Sequence, residues 1–519
     1  MAETDMAETD VPVTDVPVTD VLMTDVAVVG AGPAGLAAAL AAADLGRAVT
    51  LIDSAQAPGG QIYRQPLTGT PGSAPDRLPQ RLQRAAGHRR ITHLPATTVW
   101  HAERDSPINL NSNPRSNKIH LNPTSPTSPT SPTSPTSPTS PGEFTLRLTG
   151  VAGPADPAVL RARAVVIATG ATELALPFPG WDLPGVTTAG AAQALLKSQG
   201  VTVGRRVIVA GSGPLLLPVA AGLAEAGVRV VAMLEATQAR AGVTRTARLA
   251  GHPGKLREAA GYAATLARHR VPVRTGHAVV ACRGAGRVEY ATIARLGRDW
   301  RPASGTRWEA AVDAVHVSFG FTAALELPRL LGCADAPHPV RPVSAVTHDA
   351  GQATSVAGVF AAGEVTGTGG ADVAELEGYL AGVSAARYLG VPASPTLAAR
   401  LHAVTTRLAR ARRFAALLDQ AYPFMPGWLD WPAPDTVVCR CEETAWGAID
   451  QAIAAGASSV RSAKAMTRCG MGYCQARVCG PVVQYAVAAA TGRPLAGVGD
   501  LHARPVLSPV TLQEVADSG

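Results

Sequence analysis

Little in this chain is aromatic or charged. Phe, Trp and Tyr make up 4% of the 519 residues and Asp, Glu, Lys and Arg 16%, against 46% hydrophobic residues. That balance excludes a disordered chain, because there is ample apolar surface to bury, and the length allows two or three domains. The net charge of +7 is a mild excess on this length. With no basic stripe and few aromatics to stack on bases, nucleic acid is not an expected partner. No apolar run reads as a membrane helix, and the acidic start lacks the apolar core of a secretory signal. Closely spaced cysteines are missing before residue 437, where only Cys282 and Cys333 stand. A redox-active dithiol in the body of the chain is thereby excluded, and both are expected as isolated thiols. Five of the seven cysteines lie between Cys439 and Cys479. That crowding argues against a secreted disulfide framework. It favours metal or cluster binding in a reducing compartment, here the cytoplasm.

Two segments are repetitive. The opening MAETDMAETDVPVTDVPVTDVLMTD has no packing period and is expected as a disordered tail over 1–24. Met23 stands two residues before the expected first strand. The working protein is expected to start near it, so that deleting residues 2–22 leaves folding unchanged. The second repeat, Pro-Thr-Ser from Pro123 to Pro141, favours extended, solvated backbone and lies in an insertion at about 103–142. It separates THLPATTVW (92–100) from EFTLRL (143–148), and so reads as an expanded hairpin tip.

Elsewhere short β-branched runs alternate with Ala- and Leu-rich stretches, the α/β pattern. The segment DVAVVGAGPAGLAAALAAADLGRAVTLID (25–53) is a strand, a glycine turn, a helix and a strand. Gly30 allows the tight turn, Gly32 lets backbone approach a pyrophosphate, and Gly35 lets the helix sit close to the strand. Asp53 ends the second strand, where a carboxylate accepts from a ribose diol. RRVIVAGSGPLLLPVAAGLAEAGVRVVAMLEA (205–236) repeats the plan with Gly211, Gly213 and Glu235, but Leu216 takes the third glycine position. Leucine there pushes the helix away and crowds the phosphate side, and the acid disfavours a 2′-phosphate. A second nucleotide site and an empty Rossmann fold both remain open. His252, His316 and His348 are expected to be structural, since no His/Asp pair reads as a general base.

The expected divisions are a first nucleotide domain over 25–200 and 311–390, and a second over 201–310. A helical linker over 391–435, a cysteine module over 436–497 and a tail over 498–519 follow. Residues 396–420 read as a helix, with Trp428 and Trp431 in the linker beyond it. In the module, Cys439 and Cys441 form C-x-C, and Cys474 and Cys479 follow. Thr444 and Ser458 or Ser459 are expected to cap two short helices, and a third is expected from Gln475 to Gly492. Four thiolates on two loops suit a [2Fe-2S] cluster; zinc is the rival, and plain thiols the remainder. Cys469 is read as a bystander. Arg440, Lys464, Arg468 and Arg477 are expected to offset cluster charge.

PGGQIYR (58–64), AVVIATGATELALPFPG (164–180) and TSVAGVFAAGEVTG (354–367) resemble the recurring segments of two-dinucleotide-fold flavoproteins, the glutathione and thioredoxin reductase class. That resemblance implies FAD, contacted by Gly30, Gly32, Ala34, Gly35, Asp53, Gly60, Gln61, Val99, Thr169, Gly170, Gly363 and Glu364. Glu364 stands where the class usually has Asp. With GSGPLLLPVA, HPGKL (252–256), ELPRLLGC (326–333) and the cysteine segments, the chain resembles the FAD/[2Fe-2S] subunits of heteromeric amine dehydrogenases from Met23 to about residue 495. These include the B subunits of hydrogen cyanide synthases, the A subunits of octopine and nopaline oxidases, and the alpha subunits of D-hydroxyproline and dye-linked proline dehydrogenases. Their module is of the bacterioferritin-associated-ferredoxin type. The resemblance implies a two-Rossmann flavoprotein followed by a small helical iron-sulfur domain. It implies an electron-transferring role beside a glycine- or D-amino-acid-oxidase-like FAD-dependent dehydrogenase subunit, with a small ferredoxin-like subunit as a further candidate partner. NAD, ATP or a second flavin are the candidate occupants of the second nucleotide site. An NADH-dependent reductase and a zinc-stapled scaffold are the competing readings.

Overall fold

The computed structural model describes residues 21–66, 79–85, 87–105, 143–150, 158–238, 253–338, 341–501 and 506–517. The repeat before residue 21, the Pro-Thr-Ser run and His252 lie outside them.

The first strand, Leu22–Val29, sits mid-sheet with Val26 to Val29 buried. A parallel strand covered on both faces reads as a continuous apolar run, and this one does. It pairs in parallel with Val49–Ile52 on one side and with Val159–Ile167 on the other. The strand takes in Leu22 to Thr24, contrary to the expectation that they belong to the tail. The nine-residue Val159–Ile167 is long enough to offer Leu160, Arg161 and Ala162 as their partners. Sheet order is Ile91–Leu94, Val49–Ile52, Leu22–Val29, Val159–Ile167, Phe144–Thr149, Thr98–Arg104. Val359–Ala361 adds in parallel to the C-terminal half of Val159–Ile167.

The segment 92–100 is two strands rather than one. Ile91–Leu94 is parallel to Val49–Ile52, whereas Thr98–Arg104 runs antiparallel to Phe144–Thr149. The break falls at Pro95, which has no N–H for a ladder, and Ala96, whose φ is 52°. Arg104 faces Phe144, so the insertion does spring from the end of a hairpin.

A second parallel sheet has the order Val273–Thr275, Arg229–Glu235, Arg206–Gly211, Ala314–Ser318, Val186–Thr188. It draws strands from both sides of the stretch 201–310. A three-stranded antiparallel sheet, His277–Arg283, Tyr290–Arg295 and Trp308–Ala311, lies beside it.

The helix Pro395–Ala421 is capped by Ser394. The residues after it are core and not linker. Trp428 is 0% and Trp431 5% exposed. With Trp300, Phe319, Phe424, Trp446 and Tyr485 they form an aromatic cluster with ring centroids 5.4–6.4 Å apart. Trp431 Nε1 donates to the Trp300 carbonyl at 3.0 Å. Each such ring buries on the order of 200 Å². The cluster therefore fuses the core of the second Rossmann unit to that of the cysteine module, and one apolar cluster contains both.

The tail also docks. Leu507 is buried, its N–H donates to Trp100 at 2.8 Å, and Gln475 donates to the Val506 carbonyl at 3.2 Å. Among the described residues, no helix is long and apolar enough to cross a membrane.

Candidate cofactor sites

The first glycine turn is shaped by contacts that leave no room for a side chain. Gly30 has φ +105°, and a Cβ there would lie 2.3 Å from the Ala168 carbonyl oxygen. A Cβ on Gly35 would lie 1.7 Å from the Gly30 oxygen, so only glycine lets the helix Pro33–Asp44 approach its strand. Gly32 is the N-cap of that helix and makes no side-chain cap. Among the described residues no side chain takes the amides of the first turn, which stand at the positive end of a helix dipole and so can receive an anion.

Four other segments close on this helix end. Gly59 N–H donates to the Ala31 carbonyl at 2.8 Å, and Gly60 lies against Gly32. Asp53 accepts from the Ala31 N–H and, at 2.7 Å, from Ala55 N–H. Ala168 N–H donates to Val29 at 2.8 Å, which brings Thr169 and Gly170 to the same end of the sheet. A Cβ on Gly363 would lie 2.9 Å from the Ala34 Cβ. Gln61 is at the surface, where its Oε1 accepts from Arg64 at 2.9 Å. Val99 is 5% exposed and packs inside the sheet's core. The cradle fits a dinucleotide: a helix N-terminus for pyrophosphate, an acid at a strand end, and backbone turns that exclude side chains.

Glu364 turns back on its own loop. Its Oε1 accepts from Gly370 N–H at 2.9 Å, and burial raises its pKa. The acid that grips Gly363 is one that sequence reasoning misses. Glu377, 3% exposed, accepts from the Gly363 N–H at 2.9 Å and from the Thr366 hydroxyl at 2.8 Å. Arg412 of the helix Pro395–Ala421 completes it, with Nε 3.2 Å and a terminal nitrogen 2.9 Å from Oε1. An acid on the Ala- and Gly-rich stretch ADVAELEGYLAG is the available signal.

The second glycine turn differs in one detail. Its helix starts at Leu216, five residues after Gly211, whereas the first starts at Pro33, three after Gly30. Leu216 is 1% exposed and packs among Val207, Val209 and Val219. Glu235 reaches farther than Asp53 does. It accepts from Gly213 N–H at 3.0 Å and from Thr237 N–H at 2.8 Å. Burial pushes its pKa up to about 7, against the pull of those hydrogen bonds.

In the cysteine module, the Cys439, Cys469 and Cys479 sulfurs lie within 4.8 Å of one another, and all three residues are buried. Cys441 is exposed and Cys474 half-buried. The backbone N–H groups of Gly470 and Glu442 point at the Cys439 sulfur, opposing the rise that burial causes. A hydrogen bond with Cys469, then burial, drives the Cys479 thiol upward. Buried sulfurs from a hairpin, a loop and the start of a helix, with amides aimed at one of them, fit a thiolate-ligated group.

The expected cationic shell is mostly spent elsewhere. Arg468 pairs with Glu442 at 3.0 Å, Arg477 with Glu326 at 2.7 Å, and Arg440 stacks on Trp181 at 4.0 Å. Ser459 does cap its helix, in a capping box with Ser462. Thr444 caps nothing; its hydroxyl donates to the Thr467 carbonyl at 3.3 Å. The third helix begins at Cys479 instead of Gln475, because Gln475 and Ala476 have φ of 53° and 68°.

Cys282 and Cys333 are isolated and buried, and burial pushes the Cys282 thiol up to about 12. His316 is enclosed in a central strand, its Nδ1 2.8 Å from the Thr187 hydroxyl and its pKa pushed down to about 4 by burial. His348 lies at the surface, with Nδ1 2.7 Å from the Asp349 carbonyl.

Comparison with known proteins agrees with this construction. Residues 24–388 match the pyridine nucleotide-disulphide oxidoreductase family, and residues 437–489 match the BFD-like [2Fe-2S] binding domain. Among the opine oxidase A subunits, that of Agrobacterium tumefaciens (strain Ach5) is 32% identical over 498 residues, covering 92% of this chain and 89% of that one. The chain is 31% identical to hydrogen cyanide synthase subunit HcnB of Pseudomonas protegens, covering 67% and 73%. The fold matches a crystal structure of L-proline dehydrogenase from P. horikoshii with a TM-score of 0.62 at 18% identity, covering 95% of this chain and 79% of that one. The chain belongs to the pyridine nucleotide-disulphide oxidoreductase family: it is an FAD-dependent oxidoreductase that carries a C-terminal BFD-like [2Fe-2S] domain and is related to the A subunits of opine oxidases.

Proposed function

We propose that this chain is the electron-transferring subunit of a heteromeric dehydrogenase acting on an amino acid, an opine or a related amine. Two of its relatives are named as subunits, of opine oxidase and of hydrogen cyanide synthase, which supports a partner. That partner would be an FAD-dependent subunit of the glycine- or D-amino-acid-oxidase type that takes the substrate's C–N bond. A flavin accepts electrons in pairs and releases them singly, which suits a one-electron cluster in the same chain.

Within the chain, Gly30, Gly32, Ala34 and Gly35 would present helix amides to the FAD pyrophosphate, and Asp53 would face the ribose. Gly60, Gln61, Thr169, Gly170, Gly363 and Glu364 would line the remainder, with Val99 beside the adenine. Spacing offers Cys439, Cys441, Cys474 and Cys479 as the thiolates of the module.

The observation that carries the relay is a continuous frame between the two sites. Thr169 donates its hydroxyl to the Ala324 carbonyl at 3.1 Å, and Ala324 N–H donates to Gly170 at 3.0 Å. Two residues on, Glu326 holds Arg477 of the cysteine loop at 2.7 Å. Expressed alone, the chain should bind FAD yet support little dye reduction with amino acids or opines, and co-expression with the dehydrogenase partner should supply that activity. Strong turnover by the lone chain overturns the partner model.

The second parallel sheet favours one other reading, an NADH-dependent reductase using Gly211, Gly213 and Glu235. Against it, Glu235 already takes the Gly213 N–H. Rapid anaerobic bleaching of flavin absorbance by NADH would establish that reading in place of the first.

A further inference from the structure

The arginines round the cysteine loops differ in what holds them. Arg468 and Arg477 are each paired with a carboxylate, Glu442 at 3.0 Å and Glu326 at 2.7 Å. A cation so paired presents little net charge to a third group. Arg440 stands between Cys439 and Cys441, and its partners are neutral. Its guanidinium lies 4.0 Å from the centre of the Trp181 ring and donates to the Trp181 carbonyl at 2.5 Å. An indole face and a carbonyl orient a cation without cancelling its charge. Asp182 acts on it electrostatically but forms no ion pair with it among the described residues.

Trp181 is placed by the flavin side of the molecule. It follows AVVIATGATELALPFPG, the segment that carries Thr169 and Gly170. The turn before it admits no side chain: Gly180 has φ +76°, and a Cβ there would lie 2.1 Å from the Cys282 carbonyl oxygen. Trp181 is 4% exposed, and its indole N–H donates to the Val437 carbonyl at 2.5 Å. One residue thus holds the hairpin on both sides of Cys439, at Val437 and at Arg440. An unheld arginine on an exposed hairpin samples many rotamers in water, where its charge is screened. Held on the ring, Arg440 keeps its charge one residue from two of the thiolates that spacing offers.

We propose that Arg440, positioned by Trp181, is the cation that sets the reduction potential of the [2Fe-2S] cluster. The cluster gains one negative charge when it takes an electron from the flavin, so a fixed positive charge beside it favours the reduced form. The proposal rests on the relay reading. Iron and sulfide counted in the unaltered chain test that reading separately: their absence sinks the relay itself, before any variant is compared.

The experiment uses the full chain, purified anaerobically, with Arg440→Gln, Arg440→Lys, Trp181→Leu and the double variant Trp181→Leu/Arg440→Gln. Iron, sulfide and flavin are counted, and the midpoint potential of the cluster is read by electron paramagnetic resonance during a redox titration. Arg440→Gln should lower the reduced-to-oxidised ratio at a fixed potential about tenfold, about 59 mV for one electron, with iron and flavin retained. Arg440→Lys keeps the charge and should undo most of that shift. Trp181→Leu should move the potential the same way, and the double variant should fall no lower than Arg440→Gln alone, because Trp181 acts through Arg440. A merely structural role would cost iron or stability and leave the potential of the loaded chain where it was. An unshifted potential in Arg440→Gln at full iron overturns the proposal, as does an Arg440→Lys variant shifted as far as Arg440→Gln. A double variant shifted by the sum of the two single ones overturns the positioning role of Trp181. If Arg440→Gln loses its iron, Trp181→Leu decides: a lowered potential at full iron supports the assignment, and an unshifted one overturns it. Iron lost from both also overturns it, because the pair then holds the module together and does not tune it.

Discussion

Replacing Arg412 by methionine should destabilise the flavin end of the molecule, although Arg412 lies on a helix with only two well-buried residues, Val404 and Leu408. Its guanidinium gives Glu377 Oε1 two N–H donors, at 3.2 and 2.9 Å. Glu377 is 3% exposed, so the substitution strands a carboxylate oxygen where water has poor access. Breaking a fully buried ion pair from one side costs about 3–5 kcal/mol. Here the arginine side chain is 42% exposed, and water can enter from its side. Glu377 also keeps its bonds from Gly363 and Thr366. Those two facts bring the expected loss to about 2 kcal/mol, nearer the cost of one unsatisfied buried acceptor. The double variant Glu377→Gln/Arg412→Met should recover more than half of it, because a neutral amide still accepts from Gly363. Urea unfolding followed by tryptophan and flavin fluorescence measures both. A single variant within about 0.5 kcal/mol of the unaltered chain, the range of ordinary surface changes, refutes the reasoning.

Other consequences can be checked on the same protein. Glu235 has a folded pKa of about 7, above its ordinary 4.5, so the fold favours its protonated form. Its stabilising contribution is complete below pH 4.5 and is lost as pH rises through about 7. The span is about 3 kcal/mol at most. Thermal unfolding between pH 5 and 8.5 should show that decline, and Glu235→Gln should flatten it; parallel curves would contradict the assignment. Gly35→Ala drives a Cβ to 1.7 Å from the Gly30 oxygen, and the chain should purify without flavin. Gly170→Ala meets nothing within 4 Å and has only its φ of +75° to strain, so it should keep flavin at a cost of about 1 kcal/mol. Arg477, paired with Glu326, also donates to the Leu507 carbonyl, so Glu326→Ala should loosen that hold and expose the segment after residue 505 to limited proteolysis; an unchanged digestion pattern would mean that the pair does not hold the tail.

The parts legible in the sequence are those whose chemistry is local. Gly30, Gly32 and Gly35 announce a turn because their spacing falls within a single strand-turn-helix unit, although only Gly35 answers a contact inside that unit, whereas Gly30 meets Ala168 and Gly32 meets Gly60. The cysteine segments announce a thiolate site because their residue types admit few other uses. Contacts between distant segments leave no such trace. Trp428 and Trp431, flanked by prolines, read as linker, and only the fold shows Trp300 and Phe319 arriving from another unit to bury them. Glu377 and Arg412 are 35 residues apart on separate helices, and neither periodicity nor spacing joins them. Cys469 reads as a bystander from spacing, and only the fold shows its thiol buried within 4.8 Å of those of Cys439 and Cys479. Leu216 shows the converse case. Leucine at the third glycine position reads as pushing the helix away, and the fold shows that residue buried in the core at the start of a helix that begins two residues later in its turn than the first one does.

The central claim is that one chain holds both a flavin and an iron-sulfur cluster. It is tested most directly by an anaerobic visible spectrum of the purified full chain, with flavin, iron and sulfide counted on the same sample. The account predicts flavin bands over a broad absorbance that extends to the red, with one FAD, two irons and two sulfides per chain. A colourless protein, or flavin without iron, would contradict it.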